Sequence, residues 1–382
     1  MKKLPLQGLT VLEFSQYLSG PSAGLRLADM GARVIKIERP GKGDACRQLA
    51  IKNLWLDDSS LLFHTINRNK ESFAADLKNP EDLDLIRELI AKADVLTHNF
   101  RPGVMEKVGL DYASVKKINE SIIYAEISGY GKKGPWKDKP GQDLLLQSMS
   151  GLAHTSGNEE HDPVPFGIAI ADIMSGTHLV QGILAALIRR RKKGIGALIE
   201  VSLLESLIDF QFELLTTYFS SNQLPQRSKN NNGHTLLSAP YGIYATAEGF
   251  IAIAMVVLSK LSIALDCESL SRFRQEDAFK KRDAIKEILN KHLSTQPVSY
   301  WIKKLHHHGL WAMEVLDWQQ MKEEVAYQVL EMEQTVGYNG RKFVTTRCPI
   351  RINGEKLVSA RPAPRLGEQN EKIKTELLNT NA

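Results

Sequence analysis

Asp172 is the residue with the most chemistry on offer. It stands in the apolar stretch Pro165-Phe-Gly-Ile-Ala-Ile-Ala-Asp172, and Val180, Ile183, Leu184 and Leu187 follow at the i, i+3, i+4, i+7 spacing of a buried helix face. The spacing predicts a helix that starts at this carboxylate. Unpaired backbone N–H groups and the helix dipole at such a position favour the ionised form. Two uses are open to an anion so placed: it can close the helix as an N-cap and do nothing more, or it can take part in catalysis.

Other residues offer anion binding. Arg39-Pro-Gly-Lys42-Gly-Asp44-Ala-Cys-Arg47 is a glycine- and cation-rich loop that follows a predicted strand, where open α/β sheets take their ligands. Arg39 and Lys42 are placed to meet an anion, whereas Asp44 and Arg47 read as a solvated ion pair. Asn99-Phe100-Arg101-Pro-Gly103 combines a donor amide, a ring and a cation, a set that suits a nucleotide base and phosphate and equally a packed ring beside a surface arginine. Gly129-Tyr130-Gly131 lets backbone N–H groups approach a ligand, or simply makes a turn. His306, His307 and His308 are adjacent, and neighbours on a helix point about 100° apart, so they cannot converge on an ion and read as surface residues. No metal site is expected.

Strands and helices must hold these groups in place. Leu9 to Phe14 and Arg33 to Glu38 read as buried strands around a helix through Leu25, Leu27 and Met30, the βαβ opening of a doubly wound sheet. The intervening turn lacks Gly-x-Gly-x-x-Gly, although Glu38 stands where a dinucleotide fold keeps its ribose-binding acid. Further strands are predicted at 73–78, 94–100, 121–128 and 194–202, with the first of these edge-like and a helix opening at Asn79-Pro80. Leu203 to Phe219 reads as one long apolar helix. Ser220 to Thr235, with Asn230-Asn-Asn-Gly233, reads as a mobile boundary loop. A hairpin with Gly249 at positive φ is expected at 241–255, then helices to Leu305 and from Val315 to Met332, and Arg361 to Gln369 is irregular before a final short helix.

Length and composition bound the class. A chain of 382 residues suggests two domains, and 43% hydrophobic with 24% charged residues is ordinary for a globular protein. The net charge of +5 suits anionic small ligands and is too diffuse for nucleic acid. Arg189 to Lys193 reads as a solvated helix end. Cys46, Cys267 and Cys348 lie far apart and odd in number, which fits a reducing cytoplasmic setting. The N-terminus lacks the apolar core of a secretory signal, and no apolar run is judged long enough to cross a bilayer.

Taken in order, several short pieces resemble the family III CoA-transferases, a group related to the α-methylacyl-CoA racemases. They are Gly20-Pro21, Gly31-Ala-Arg-Val-Ile-Lys-Ile-Glu38, Gly43-Asp44 with Arg47, Asn69-Lys70, Asp76-Leu-Lys78, Asn99-Phe100 with Pro102-Gly103, Ser128-Gly-Tyr-Gly131, Gly134-Pro135, Gln147 with Ser150-Gly151, Ala171-Asp172, Gly182 with Ala185-Ala186-Leu187, and Leu366-Gly-Glu368. The resemblance implies an α/β fold: a Rossmann-like large domain with a mostly parallel sheet at 1–200 and 335–382, completed by the C-terminal segment. A linker helix and loop at 201–225 and a smaller α+β domain at 226–334 follow, in an interlocked homodimer. It implies coenzyme A as part of an acyl-CoA substrate, a small carboxylic acid as its partner, no metal, no nucleic acid and no membrane.

By the same resemblance Asp172 matches the nucleophile. Ser19, Arg39, Lys78, Asn99, Phe100, Arg101, Lys107, Gln142 and Asp143 fall where the family lines its CoA site. Lys107 stands where some members have Arg, and Leu18 where one has a Gln near the reacting centre. Gly129, Tyr130 and Gly131, or the loop near Asn231 to Gly233, are candidates for binding an oxyanion. The implied reaction moves CoA from an acyl-CoA to a free acid through anhydride and thioester intermediates on Asp172. Two other readings stay open: a racemase, which needs a His where this chain has Gln142, and a CoA-binding protein without turnover.

Overall fold

The computed structural model describes residues 4–378. Its main sheet grows from near-continuous apolar runs, the pattern of strands buried on both faces. In chain order the elements are β1 (Thr10–Glu13), α1 (Ser19–Asp29), β2 (Arg33–Glu38), α2 (Leu61–Asn67), β3 (Glu71–Ala74), α3 (Pro80–Lys92), β4 (Val95–His98), α4 (Val104–Lys107), α5 (Tyr112–Ile118), β5 (Ile123–Ser128), α6 (Asp143–Met149), α7 (Ile170–Lys193), β6 (Ala197–Ser202) and α8 (Leu203–Phe210). The strands lie in the order β3-β2-β1-β4-β5-β6, all parallel, with Val11 opposite both Val34 and Val95, and Ile123 opposite Val95 and Ala197. This is the doubly wound order that the βαβ opening predicts. Its chain reversal falls between β1 and β4, where such sheets leave a crevice for ligands.

Helix boundaries follow local chemistry. Asn79 accepts the N–H groups of Glu81 (2.8 Å) and Asp82, with Pro80 at the first helical position, so α3 starts where the sequence places it. Ile86, Leu89 and Ile90 on α3 pack with Leu12, Ile35, Leu96 and Tyr124 to fill one side of the sheet. Helix α7 ends at Gly194 in the left-handed region (φ 72°), after Arg190 has paired with Asp94 at 2.7 Å. At 24 residues α7 is long and apolar enough to cross a bilayer by length and composition, which corrects the expectation that no segment qualifies. It is partly buried, with Leu179, Val180 and Ile183 in the interior, as a core helix is.

The chain divides into two compact units. The first runs to Leu146, then Ala169–Phe210 and from Leu330 onward; the second is Gln147–Ile168 with Gln211–Val329. The expected boundaries shift accordingly: segment 147–168 joins the second unit and α8 the first. The expected long helix 203–219 is broken at Gln211 into α8 and α9 (Phe212–Ser221). In the second unit β7 (Gly242–Ala245), β8 (Phe250–Ile253) and, further on, β9 (Ala312–Glu314) form an antiparallel sheet in the order β9-β8-β7, and Gly249 has φ 84° at the hairpin as expected. Tyr244, Ile251, Leu261, Leu289 and Trp301 form its core. Between β8 and β9 runs α10 (Arg282–Leu293). It clasps the asparagine-rich loop: Arg282 donates to the Thr235 carbonyl (3.0 Å), Lys286 to the Asn231 carbonyl (2.9 Å), and Asp283 accepts the Lys229 N–H (2.9 Å). The loop expected to be mobile is therefore tied down. Past β9 the expected helix from Val315 is two short ones, Trp318–Glu323 and Val325–Leu330.

The C-terminal segment returns to the first unit and covers the free edge of β3. Gln369 and Asn370 accept the Ser72 and Ala74 N–H groups at 2.8 Å each, and buried Glu71 takes Arg33 (2.8 Å), Arg361 (3.2 Å) and Lys372 (2.9 Å). Burial pushes the Glu71 carboxyl up, and hydrogen bonds from Lys372 and Arg33 outweigh it and hold the group below its ordinary range. A carboxyl depressed in the folded state contributes stability above its unfolded pKa and loses it as pH falls through the folded value. Acidification through that window is expected to loosen the C-terminal segment. Glu71→Gln at neutral pH is expected to lower stability by about 1–3 kcal/mol and to speed amide exchange over 361–378; unchanged exchange there would show that this clamp does not hold the segment.

Candidate active site

At the β1/β4 reversal the chain after β1 is fixed from both sides. Asn99, just past β4, accepts the Gln16 N–H (2.8 Å) and donates to the Gln16 carbonyl (2.7 Å) and to the Ser19 hydroxyl (3.1 Å). From below, a buried charge network holds the same loop. Lys36 reaches the Ser15 carbonyl (2.7 Å), Asp44 (2.8 Å) and Glu13 (3.1 Å); Lys70 reaches Glu13 (2.9 Å) and the Pro21 carbonyl (2.9 Å). Asp44 in turn accepts the Tyr17 N–H at 3.1 Å. Tyr17 is thereby held at φ 62°, a conformation that costs a non-glycine residue about 1 kcal/mol or more. Gly24 makes room for the network, because a Cβ there would overlap the Glu13 carboxylate.

Asp172 sits in the first turn of α7, half-buried. It does not cap its own helix. The Asp143 carboxylate takes the free N–H groups instead, accepting from Ala171 (2.6 Å) and Asp172 (3.4 Å). Asp143 is brought there by the glycines on either side of a tight contact: a Cβ on Gly141 would come within 2.8 Å of the Gly129 Cα, and Tyr130 donates to the Pro140 carbonyl at 3.2 Å. Helix α1 meets α7 one turn further on, where a Cβ on Gly176 would come within 2.7 Å of the Ser19 carbonyl. That approach brings the start of α1 beside Asp172, whose carboxyl a hydrogen bond from the Ser19 side chain lowers.

The electrostatic outcome corrects the expectation of an anion favoured by its helix. Burial and the neighbouring Asp143 charge push the Asp172 carboxyl up to about 6, and Ser19 pulls it part of the way back. Such a group is still mostly ionised at neutral pH and is a stronger oxygen nucleophile than an ordinary carboxylate.

Exposed cations rim the carboxyl ends of the strands. Arg39 and Lys42 follow β2, Lys78 follows β3, Arg101 follows β4, and Lys107 ends α4; none of them has a carboxylate partner among the described residues. Phe100 stacks beside His98 with ring centroids 6.0 Å apart and an interplanar angle of 21°. His98 and Glu126 are opposite one another in the β4/β5 register and 3.3 Å apart, and Lys132 reaches Glu126 at 2.6 Å. With Phe100, Arg101 and Tyr124 they line a small cavity. Sequence reasoning passed over His98 and Glu126; the available signal was a polar residue near the end of each otherwise apolar strand.

Several expected roles change. Arg47 is buried and forks onto Glu38 (2.7 and 2.8 Å) rather than pairing with Asp44, so Glu38 has no freedom to hold a ribose. Asn99 and Ser19 turn inward to the loop and to Asp172. The Gly131 N–H donates to the Ser128 hydroxyl (3.0 Å) and is not available to an oxyanion. Leu18 packs with Cys46, Phe63 and Ile66 and offers no donor. Gln142 is exposed and opens α6 through its carbonyl, which accepts the Leu145 N–H at 2.9 Å. The three adjacent histidines are exposed as expected.

With this geometry in place, similarity to known proteins is decisive. The profile of CoA-transferase family III matches residues 6–370. Acetyl-CoA:oxalate CoA-transferase of Acetobacter aceti is 32% identical, over 98% of this chain and 96% of that protein. Succinate–glutarate CoA-transferase of Agrobacterium fabrum is 32% identical over the same shares. Among solved structures, a CAIB/BAIF family protein from Brucella suis superposes with a TM-score of 0.86 at 30% identity, covering 98% of this chain and 100% of that one. The chain belongs to CoA-transferase family III and is an enzyme of that kind.

Proposed function

We propose that this enzyme moves CoA from an acyl-CoA to a free carboxylic acid by covalent catalysis on Asp172. The observation that carries the reading is the capping of α7 by Asp143, which leaves the Asp172 carboxylate free of its own helix's N–H groups and its pKa raised to about 6. Transfer between two acids must conserve the free energy of the thioester, and an acylated carboxylate does so where a serine ester would not. The Asp172 oxygen attacks the acyl-CoA carbonyl, the C–S bond breaks, and CoA leaves as the thiolate with a mixed anhydride behind it. The thiolate then adds to the aspartyl carbonyl and expels the donor acid as a carboxylate. The acceptor acid runs the same steps in reverse.

Arg39, Lys42, Lys78, Arg101 and Lys107, exposed and without carboxylate partners among the described residues, suit the phosphates of the coenzyme, and Phe100 suits its base. The two named relatives act on oxalate, succinate and glutarate. Small dicarboxylates are therefore the acceptors to test first. The chain works as a homodimer, a reading supported by exposed apolar groups on the outer face of the second unit's sheet: Ile243 (49% exposed), Phe250 (53%), Trp311 (73%) and Met313 (67%). Its three buried free thiols suit the reducing cytoplasm.

Asp172→Ala is expected to bind CoA as the wild type does and to lose transfer by at least about a thousandfold. Wild-type protein incubated with an acyl-CoA and hydroxylamine should carry the trapped adduct on Asp172; transfer at the normal rate without that residue would end the proposal. Because the nucleophile must be ionised, activity should rise with pH through about 6 and then level off. Asp143→Asn keeps an acceptor for the helix cap but removes the charge, so it should move that limb to lower pH. Light scattering should give a dimer mass, and the double change Trp311→Asp with Met313→Asp should lower it; an unaltered mass would place the interface elsewhere.

A further inference from the structure

The mixed anhydride has two carbonyl carbons, and only one of them leads forward. If the thiolate returns to the substrate's carbonyl, acyl-CoA is simply regenerated. Attack at Cγ of Asp172 gives the aspartyl thioester and releases the donor acid. A hydrogen-bond donor aimed at one carbonyl oxygen decides between two such paths, because it stabilises the negative charge that develops there. We propose that Ser19 is that donor: its hydroxyl meets the aspartyl carbonyl oxygen of acylated Asp172 and directs CoA to that carbon.

Geometry singles out this side chain. Ser19 is the first residue of α1, 4% exposed, and its carbonyl lies against α7 at Gly176, one turn past Asp172. Asn99 donates to the Ser19 oxygen at 3.1 Å, which occupies an acceptor lobe and leaves the hydroxyl hydrogen for Asp172. The Asn99 amide cannot flip, because its oxygen accepts the Gln16 N–H at 2.8 Å while its nitrogen donates to the Gln16 carbonyl at 2.7 Å. Gly176 fixes the distance between the helices, since a Cβ there would drive into the Ser19 carbonyl and the Ser22 hydroxyl. Of the neighbouring groups, the Leu18 side chain has no donor, and the Gly131 N–H is taken by Ser128.

The step balances. Sulfur bonds to Cγ, charge moves to the carbonyl oxygen against the Ser19 O–H, and collapse breaks the bond from Cγ to the bridging oxygen. The donor acid leaves as a carboxylate with that electron pair, and no proton is gained or lost.

The inference rests on Asp172 forming an anhydride, and its test separates the two. Exchange of labelled CoA into acyl-CoA, with no acceptor acid present, needs attack only at the substrate carbonyl; transfer to an acceptor needs the aspartyl carbonyl as well. In Ser19→Ala transfer should fall on the order of 100-fold while exchange stays within about threefold of wild type. Its acid limb should rise, because a bond that favours the ionised carboxylate is gone. Ser19→Cys, a weaker donor of similar shape, should give an intermediate split. A proportional fall of both rates, or no fall in transfer, overturns the role of Ser19. Absence of exchange and of trapped Asp172 in the wild type instead overturns the anhydride itself.

Discussion

A carboxylate in the first turn of a helix normally satisfies that helix's own N–H groups, and the bond holds it as an inert anion. Here Asp143 makes that bond for Asp172. One hydrogen bond of 2.6 Å to the Ala171 N–H thus does two things: it removes the structural duty from Asp172, and it sets a like charge beside it. The raised pKa of Asp172 follows from this division between two acids. Neither burial nor helix position alone gives a carboxyl that is both largely ionised at neutral pH and more basic than its free counterpart.

The division holds only if the surrounding pieces stay put. The loop after β1 carries charges on every side, with Glu13, Lys36, Asp44 and Lys70 all buried beneath it. Buried pairs of this kind add little net stability over an apolar core, yet breaking one strands its partner and is strongly destabilising. Their value here is directional. Three of them bond backbone atoms of Ser15, Tyr17 and Pro21, and so fix where α1 begins relative to α7. Glycines complete the arrangement wherever two backbones must touch, at Gly129, Gly141 and Gly176.

Much of the fold was legible because periodicity is a local property. Strand Arg33–Glu38 was readable to the residue, and the parallel order followed from the βαβ opening. The placement of Asp172 in the first turn of a long apolar helix was legible too, from a lone carboxylate ahead of an apolar helix face. Its state was not, because the residue that caps α7 lies 29 positions earlier and arrives only through tertiary structure. The same cause explains Glu38: its position imitates a ribose-binding acid, and only the folded chain reveals Arg47 forked onto it. Helix 203–219 looked continuous because nothing in its sequence breaks it. The interruption at Gln211 coincides with the boundary between the two compact units.

The contact of Gly129 with Gly141 has a bearing on how such an enzyme can diversify. It anchors the chain by its backbone, one residue before exposed Gln142 and two before Asp143. A new side chain at 142 can be accommodated there without disturbing the carboxylate next to it. The exposed side chain at 142 and the charge beside Asp172 are thus adjustable independently, from adjacent positions on one turn.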